Sequence, residues 1–158
     1  MNENDLTRYI EKYHSTVFRL SFGYVKNHED AEDIVQDAFL KLYTTEIKFE
    51  SDENVKAWLI RVAINLSKDL LKSHWFKRRA ELSSDIPADT NEEETLSACI
   101  KKLKPEYSTI LFLFYYEGYS TKEIAEICRI SVSAVTTRLA RARKQLKNLL
   151  LKEGYYEK

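Results

Sequence analysis

Residues 120–146 read STKEIAEICRISVSAVTTRLARARKQL, and this stretch decides how the rest of the chain is read. Ser120, with Glu123 three residues later, is a capping box that opens a short helix over 121–128. Ser131 is the expected N-cap of a second helix from about 132 to 151. Ile124, Ala125 and Ile127 form the packing side of the first helix, and Ala125 is small where the two helices must approach closely. At about 100° per residue, Val135, Leu139, Ala142 and Leu146 of the second helix share one side. Ser133, Ala134, Thr137, Arg138, Arg141 and Lys144 share the other, with Arg143 and Lys147 on the flank. Two short helices in this order, the second basic, predict a helix-turn-helix. Small and hydroxylated residues near the start of its second helix permit close approach to a major groove, and the guanidinium groups beyond suit base edges and phosphates. A plain amphipathic surface helix would intersperse Glu for four-residue ion pairs. No acid stands between Glu126 and Glu153, which favours a nucleic-acid partner.

On both sides of this motif the periodicity is helical almost everywhere. Pro105 suits the first position of a helix over 105–117, where its missing N–H costs nothing, and Gly118 ends that helix. A short helix carrying Leu96 and Ile100 precedes it. Residues 80–93, AELSSDIPADTNEE, lose the periodicity and read as a flexible acidic linker. Before the linker, Leu6, Ile10, Tyr13, Val17, Leu20 and Tyr24 recur at three- and four-residue steps over 4–25. Asn27 and the acids after it stop this helix and start the next, about 30–44, whose apolar face is Ile34, Val35, Ala38, Phe39 and Leu42. A polar loop over roughly 44–54 leads to a third helix, about 55–79, with Val55, Trp58, Leu59, Val62, Leu66 and Leu70 as its stripe. The expected fold is therefore all-α: two small helical domains, 1–79 and 94–158, joined by a linker at 80–93, the C-terminal one a helix-turn-helix.

Composition agrees. The chain has 158 residues with only 3 Gly and 2 Pro, which disfavours turn-rich β folds and glycine-rich phosphate loops. Cys99 and Cys128 form no CxxC pair, so neither a metal finger nor a disulfide framework is expected. His14, His28 and His74 are scattered, so no metal site or cofactor is expected either. The N-terminus lacks an apolar signal segment. The longest apolar run, Ile110 to Tyr116, is too short to span a bilayer, so no membrane insertion and a cytoplasmic setting are expected.

Lys and Arg together number 25, as do Asp and Glu, giving a formal net charge of zero. That total conceals segregation. Residues 81–95 hold six acids and no base, and residues 29–37 hold five acids and no base. Residues 129–147 hold six bases and no acid. The acidic helix is repelled by DNA and suits a basic protein surface, with Asp33 and Gln36 on its polar side. The helix 55–79 combines Trp58, His74, Trp75 and Phe76 with Lys68, Lys72, Lys77, Arg78 and Arg79, the aromatic and basic composition of a single-strand binding surface. Trp58 lies in the apolar stripe and is expected in the core; Trp75 is the better candidate for an exposed ring.

In this order the motifs resemble a bacterial RNA polymerase sigma factor of the extracytoplasmic function (ECF) group. DAEDIVQDAF (30–39) resembles the helix of sigma region 2 that binds the coiled coil of the largest polymerase subunit. AWLIRVAINLSKDLL (57–71) resembles the helix that melts and reads the minus-ten element. LKPEYSTILFLFYYEGYSTKEIAEI (103–127) and SAVTTRLARARKQL (133–146) resemble region 4, which reads the minus-thirty-five element. The resemblance implies core-polymerase contacts at Asp30, Asp33, Gln36 and Asp37. It implies minus-ten contacts at Phe49, Asn65, Lys68, Asp69 and Lys72, with the loop around Phe49 capturing a flipped base. It implies minus-thirty-five contacts at Ser133, Ala134, Thr137, Arg138, Arg141 and Lys144. It further implies a non-enzymatic initiation factor whose partners are core polymerase, promoter DNA and an anti-sigma factor. Three departures stand out. Lys72 replaces the usual Arg and loses its bidentate fork. Ala134-Val135-Thr136 replaces Thr-Val-Lys. Arg129 occupies a turn position that often holds Gly, at a steric cost of about 1 kcal/mol if left-handed, so a locally different turn is expected. The alternative reading is a stand-alone helix-turn-helix regulator that binds duplex DNA without polymerase. It leaves the acidic helix, Asn65 and Asp69 without a role.

Overall fold

The structure is a computed structural model. It describes residues 1–78 and 99–152, the side chains of 74–78 excepted. The proposed linker at 80–93, Leu96 and the rings of His74, Trp75 and Phe76 lie outside the described residues. Every described element is helical, and the chain divides into two compact units, Met1–Leu82 and Ser83–Lys158.

The first unit contains α1 (Glu3–Val25), α2 (His28–Thr44) and α3 (Asp52–Arg78). Asn2 caps α1 by accepting from the Asp5 N–H at 2.8 Å, satisfying a donor that the first helical turn leaves open. Lys26 closes α1 in the left-handed conformation, φ 60°, and its N–H donates to the Phe22 carbonyl. Asn27 then caps α2, so the two helices are joined by a two-residue turn. Tyr13 and Val17 of α1 pack with Val35, Ala38, Phe39 and Leu42 of α2 and with Val55, Leu59 and Ala63 of α3. Full burial of a side chain such as Leu42 or Leu59 stabilises the unit by about 1.5–3 kcal/mol.

α3 begins at Asp52, three residues before the start expected from periodicity, which shortens the preceding loop to residues 45–51. Ser51 Oγ accepts the Asn54 N–H at 3.2 Å and caps the helix. The first turn is also held from outside. The Asp52 carboxylate accepts from Arg8 at 2.6 Å, from Lys12 at 3.1 Å and from the Tyr9 hydroxyl at 3.1 Å. The Tyr13 hydroxyl donates to the Asp52 carbonyl at 3.0 Å.

In the second unit residues 99–102 are helical. They precede α4 (Pro105–Leu111), a π-helical turn (Phe112–Tyr116), α5 (Thr121–Cys128) and α6 (Val132–Lys152). Pro105 takes the first turn of α4 as expected. The helix expected to run on to 117 in α form instead changes to π. The Glu117 N–H reaches back five residues to the Phe112 carbonyl at 3.0 Å. Gly118, φ 75°, then reverses the chain, and the Tyr119 N–H donates to the Leu113 carbonyl at 3.0 Å. Leu103, Tyr107 and Ala142 form a core with Leu111, Leu146 and Leu149 against it. Ile124, Ala125 and Ile127 of α5 and Val135 and Leu139 of α6 are buried.

The helix-turn-helix is built as its sequence dictates. The Ser120 hydroxyl accepts the Glu123 N–H at 3.1 Å, and the Glu123 carboxylate accepts the Ser120 N–H at 3.0 Å. That backbone donor, first, and the Ser120 hydroxyl hold the Glu123 carboxyl below its ordinary pKa. Ser131 Oγ accepts the Ala134 N–H at 3.0 Å and caps α6. The expected local departure at Arg129 does not occur. Arg129 itself adopts φ 56°, ψ 47°, and its N–H donates to the Ala125 carbonyl. The turn keeps its left-handed geometry because that bond, together with Ile130 N–H to the same carbonyl at 3.1 Å, ends α5.

Candidate functional site

Three exposed helix faces carry the residues singled out from sequence. On α2, Asp33, Gln36 and Asp37 are exposed, one helical turn apart on the side opposite Val35, Ala38 and Leu42. Asp30 is placed differently. Its N–H donates to Asn27 Oδ1 and its carboxylate accepts from Asn27 Nδ2, both at 2.8 Å, so it belongs to the helix cap. Glu32 turns toward α1, with His14 at 3.6 Å and His28 at 4.0 Å. Sequence reading missed Leu40, whose surface is 60% exposed, and exposed Tyr43. Leu40 lies four residues after Gln36 and seven after Asp33, so the same wheel that groups the acids places a leucine among them.

On α3, Asn65, Lys68, Asp69 and Lys72 are all exposed. Their spacing of three, one and three residues puts them on a single stripe opposite buried Ala63, Ile64 and Ser67. Phe49 is not on this stripe. Its half-buried ring packs against the core and meets Trp58 edge-on, with centroids 5.6 Å apart and planes at 70°. Trp58 is itself half-buried against that core, as its place in the apolar stripe predicts.

On α6, Ser133, Thr137, Arg141 and Lys144 are exposed, and Ala134 and Arg138 lie at the edges of the same face. None of Arg138, Arg141 and Lys144 forms an ion pair among the described residues. Their charge is therefore available to an anion. Thr136 is exposed, but its hydroxyl donates to the Val132 carbonyl at 3.0 Å. The π turn adds a feature that the apolar run 110–116 does not suggest. Tyr115 and Tyr116 are 60% and 62% exposed, and the Arg143 Nε donates to the Tyr115 hydroxyl. Among the described residues no cluster of His, Cys, Asp and Glu suits a metal ion, and no helix is long and apolar enough to cross a membrane.

These faces coincide with two family models. Sigma-70 region 2 matches residues 9–77, and Sigma-70, region 4 matches residues 93–146. The RNA polymerase sigma factor SigV of Bacillus subtilis (strain 168) is 31% identical, over 91% of this chain and 90% of its own. The ECF RNA polymerase sigma factor SigW of the same organism is 30% identical, over 89% and 86%. The fold is also that of two solved structures. One is the sigma factor RpoE in complex with the anti-sigma factor NepR from Bartonella quintana, with a TM-score of 0.71, 21% identity, and 92% and 96% of the two chains covered. The other is CnrH in complex with the cytosolic domain of CnrY, with a TM-score of 0.66, 24% identity, and 94% and 89% covered. The chain belongs to the sigma-70 family of RNA polymerase sigma factors, in its ECF group. Its function is that of a sigma factor, directing promoter-specific initiation by RNA polymerase.

Proposed function

We propose that the three faces divide the work of a sigma factor. The α2 face, Asp33, Gln36 and Asp37 with Leu40 beside them, docks on a basic surface of the core polymerase, with Asp30 shaping its start through the helix cap. Charge gives the approach and register; the exposed leucine supplies apolar area. The α3 stripe of Asn65, Lys68, Asp69 and Lys72 engages the minus-ten element. The amide and carboxylate read base edges of an opened strand, and the lysines hold its backbone. Phe49 acts from the neighbouring loop, as one wall of a base pocket buttressed by Trp58. The α6 face reads the minus-thirty-five element in duplex form through Ser133, Ala134, Thr137, Arg138, Arg141 and Lys144.

The domain limits on this reading are 1–79 for polymerase binding and the minus-ten element, 80–93 for the linker and 94–158 for the minus-thirty-five element. The protein works in the cytoplasm, without membrane insertion and without catalytic chemistry or a cofactor of its own. An anti-sigma factor is its regulatory partner; the complexes of RpoE with NepR and of CnrH with the cytosolic domain of CnrY support this.

The observation that carries the proposal is the separation of charge onto different elements. An acid-rich stripe occupies α2, and an acid-free basic face occupies α6. A stand-alone regulator needs only the second. Run-off transcription with core polymerase and this chain on a promoter library tests the proposal. Discrete start sites that require the chain are expected. Tight sequence-specific binding of duplex DNA by the chain alone, with no polymerase-dependent transcription, would overturn it.

A further inference from the structure

Tyr115 lies on the π turn, outside every face assigned above, yet it holds a basic residue of α6. The Arg143 Nε donates to the Tyr115 hydroxyl, and the guanidinium carbon lies 5.4 Å from the Tyr115 ring centre and 5.7 Å from that of Phe114. Those two rings stand at 84° with centres 5.0 Å apart, so the guanidinium sits in an aromatic corner. The corner is part of the π turn. Two consecutive aromatic side chains of that turn, Phe114 and Tyr115, lie against one residue of α6. Single π turns of this kind are rare and recur at functional sites.

An arginine held for structure alone ordinarily meets a carboxylate. Arg143 has none among the described residues, and its two terminal nitrogens carry four N–H donors with no partner there. The tyrosine oxygen accepts from Nε and so keeps its own proton to donate outward. Together they present a planar fork and a hydroxyl to solvent, the donor set that matches a phosphate. Their position suits a backbone phosphate. Thr136, Ala140, Arg143 and Lys147 form an exposed stripe beside the reading face of α6. A helix about 10–12 Å across in a major groove about 12 Å wide brings its flanks to the groove walls, where the phosphates lie.

We infer that Tyr115 is a positioning residue for Arg143, and that the pair holds one backbone phosphate of promoter DNA at the flank of α6. This rests on the proposed reading of α6 as the DNA-reading helix. The aromatic corner restricts the guanidinium in the free protein, so less side-chain freedom is lost on binding. The contact adds affinity and fixes the rotation of α6 in the groove without reading sequence.

The test uses holoenzyme assembled from core polymerase and the full chain. The probe is a fluorescein-labelled duplex of the promoter that a randomised library selects by transcription, titrated over a range of KCl concentrations. Arg143→Ala is expected to make the salt dependence shallower by about 0.9 in the log–log slope, the value of one phosphate. Tyr115→Phe keeps the ring and is expected to lower affinity about threefold, within the range of one hydrogen bond, with the slope retained. In the Arg143→Ala background it should have no further effect, and the melting temperature should match that of the parent. An unchanged slope in Arg143→Ala, or an equal Tyr115→Phe effect in both backgrounds, overturns the inference. Arg141→Ala separates the two readings. If it weakens promoter binding while Arg143→Ala does not, the phosphate contact alone falls. If neither has an effect, or the library selects no promoter, the reading of α6 falls with it.

Discussion

Asp52 accepts a hydrogen bond from Arg8 at 2.6 Å, and this contact ties the first turn of α3 to α1 across more than forty residues of chain. Arg8, then Lys12, hold the Asp52 carboxyl down to about 2 from its ordinary 3.8. Between those pH values the unfolded chain binds a proton that the folded chain refuses, so stability rises with pH there. The contribution is complete above the unfolded pKa and is lost as pH falls through the folded one. Asp52→Asn is therefore expected to flatten that part of the acid limb when melting temperature is followed against pH. A limb identical to the parent's would show that the pairing does not stabilise the fold.

The reciprocal bonds between Ser120 and Glu123 open the helix-turn-helix. Ser120→Ala should cost about 0.5–2 kcal/mol, typically about 1, in chemical denaturation monitored on the C-terminal unit. A loss well below that range would mean that water replaces the hydroxyl at no penalty.

Arg129 sits in a conformation where a side chain costs about 1 kcal/mol, and its side chain makes no hydrogen bond or ion pair among the described residues. Arg129→Gly is therefore expected to leave stability unchanged or raise it by up to about 1 kcal/mol. Ala140→Gly, in mid-helix and also exposed, should cost about 1 kcal/mol. Thermal melts of the two variants side by side decide the matter. A destabilised Arg129→Gly would show that the guanidinium supports the turn.

Arg138 and Arg141 belong to the proposed reading face. Replacing either by Ala should weaken minus-thirty-five recognition by about 1–3 kcal/mol if it reads a base, and should relax preference at one or two promoter positions only. Transcription from a set of singly substituted promoters measures this. Uniform output across the set would place the reading face elsewhere.

Asp33→Lys reverses the charge at the start of the α2 stripe without touching the core. Its affinity for core polymerase should fall by about an order of magnitude, with an unaltered melting temperature. Leu40→Ala should weaken the same complex through lost apolar area. Full affinity in both variants would refute the docking face.

Periodicity made most of this architecture readable from sequence. The apolar stripe of α6 and the acidic stripe of α2 both follow from counting residues on a helix, and Ser120, Ser131 and Asn27 announce the helix starts through local bonds. What was not legible depends on distant or unmarked partners. α3 starts at Asp52 under a local cap from Ser51, but its first turn is also held by Arg8, Lys12 and Tyr9, which no local pattern connects to it. The π turn falls in a run of apolar and aromatic residues, where no polar position marks the register. Asp30 and Asp33 look alike in sequence, and only the structure shows that the Asp30 carboxylate is engaged by Asn27 at the helix cap. Phe49 reads as a loop residue free to meet a base, but it has a prior partner in Trp58.

The exposed stripes also have lengths. At about 1.5 Å of rise per residue, the stretch from Asn65 to Lys72 measures about 10 Å, and that from Ser133 to Lys144 about 16 Å. Stacked nucleotides repeat every 3.4 Å or so along a strand. On the proposed reading, α3 is then a ruler about three bases long and α6 one about five base pairs long. On the same proposed reading, a promoter recognised by this chain carries two short words whose sizes follow from the lengths of two helix faces.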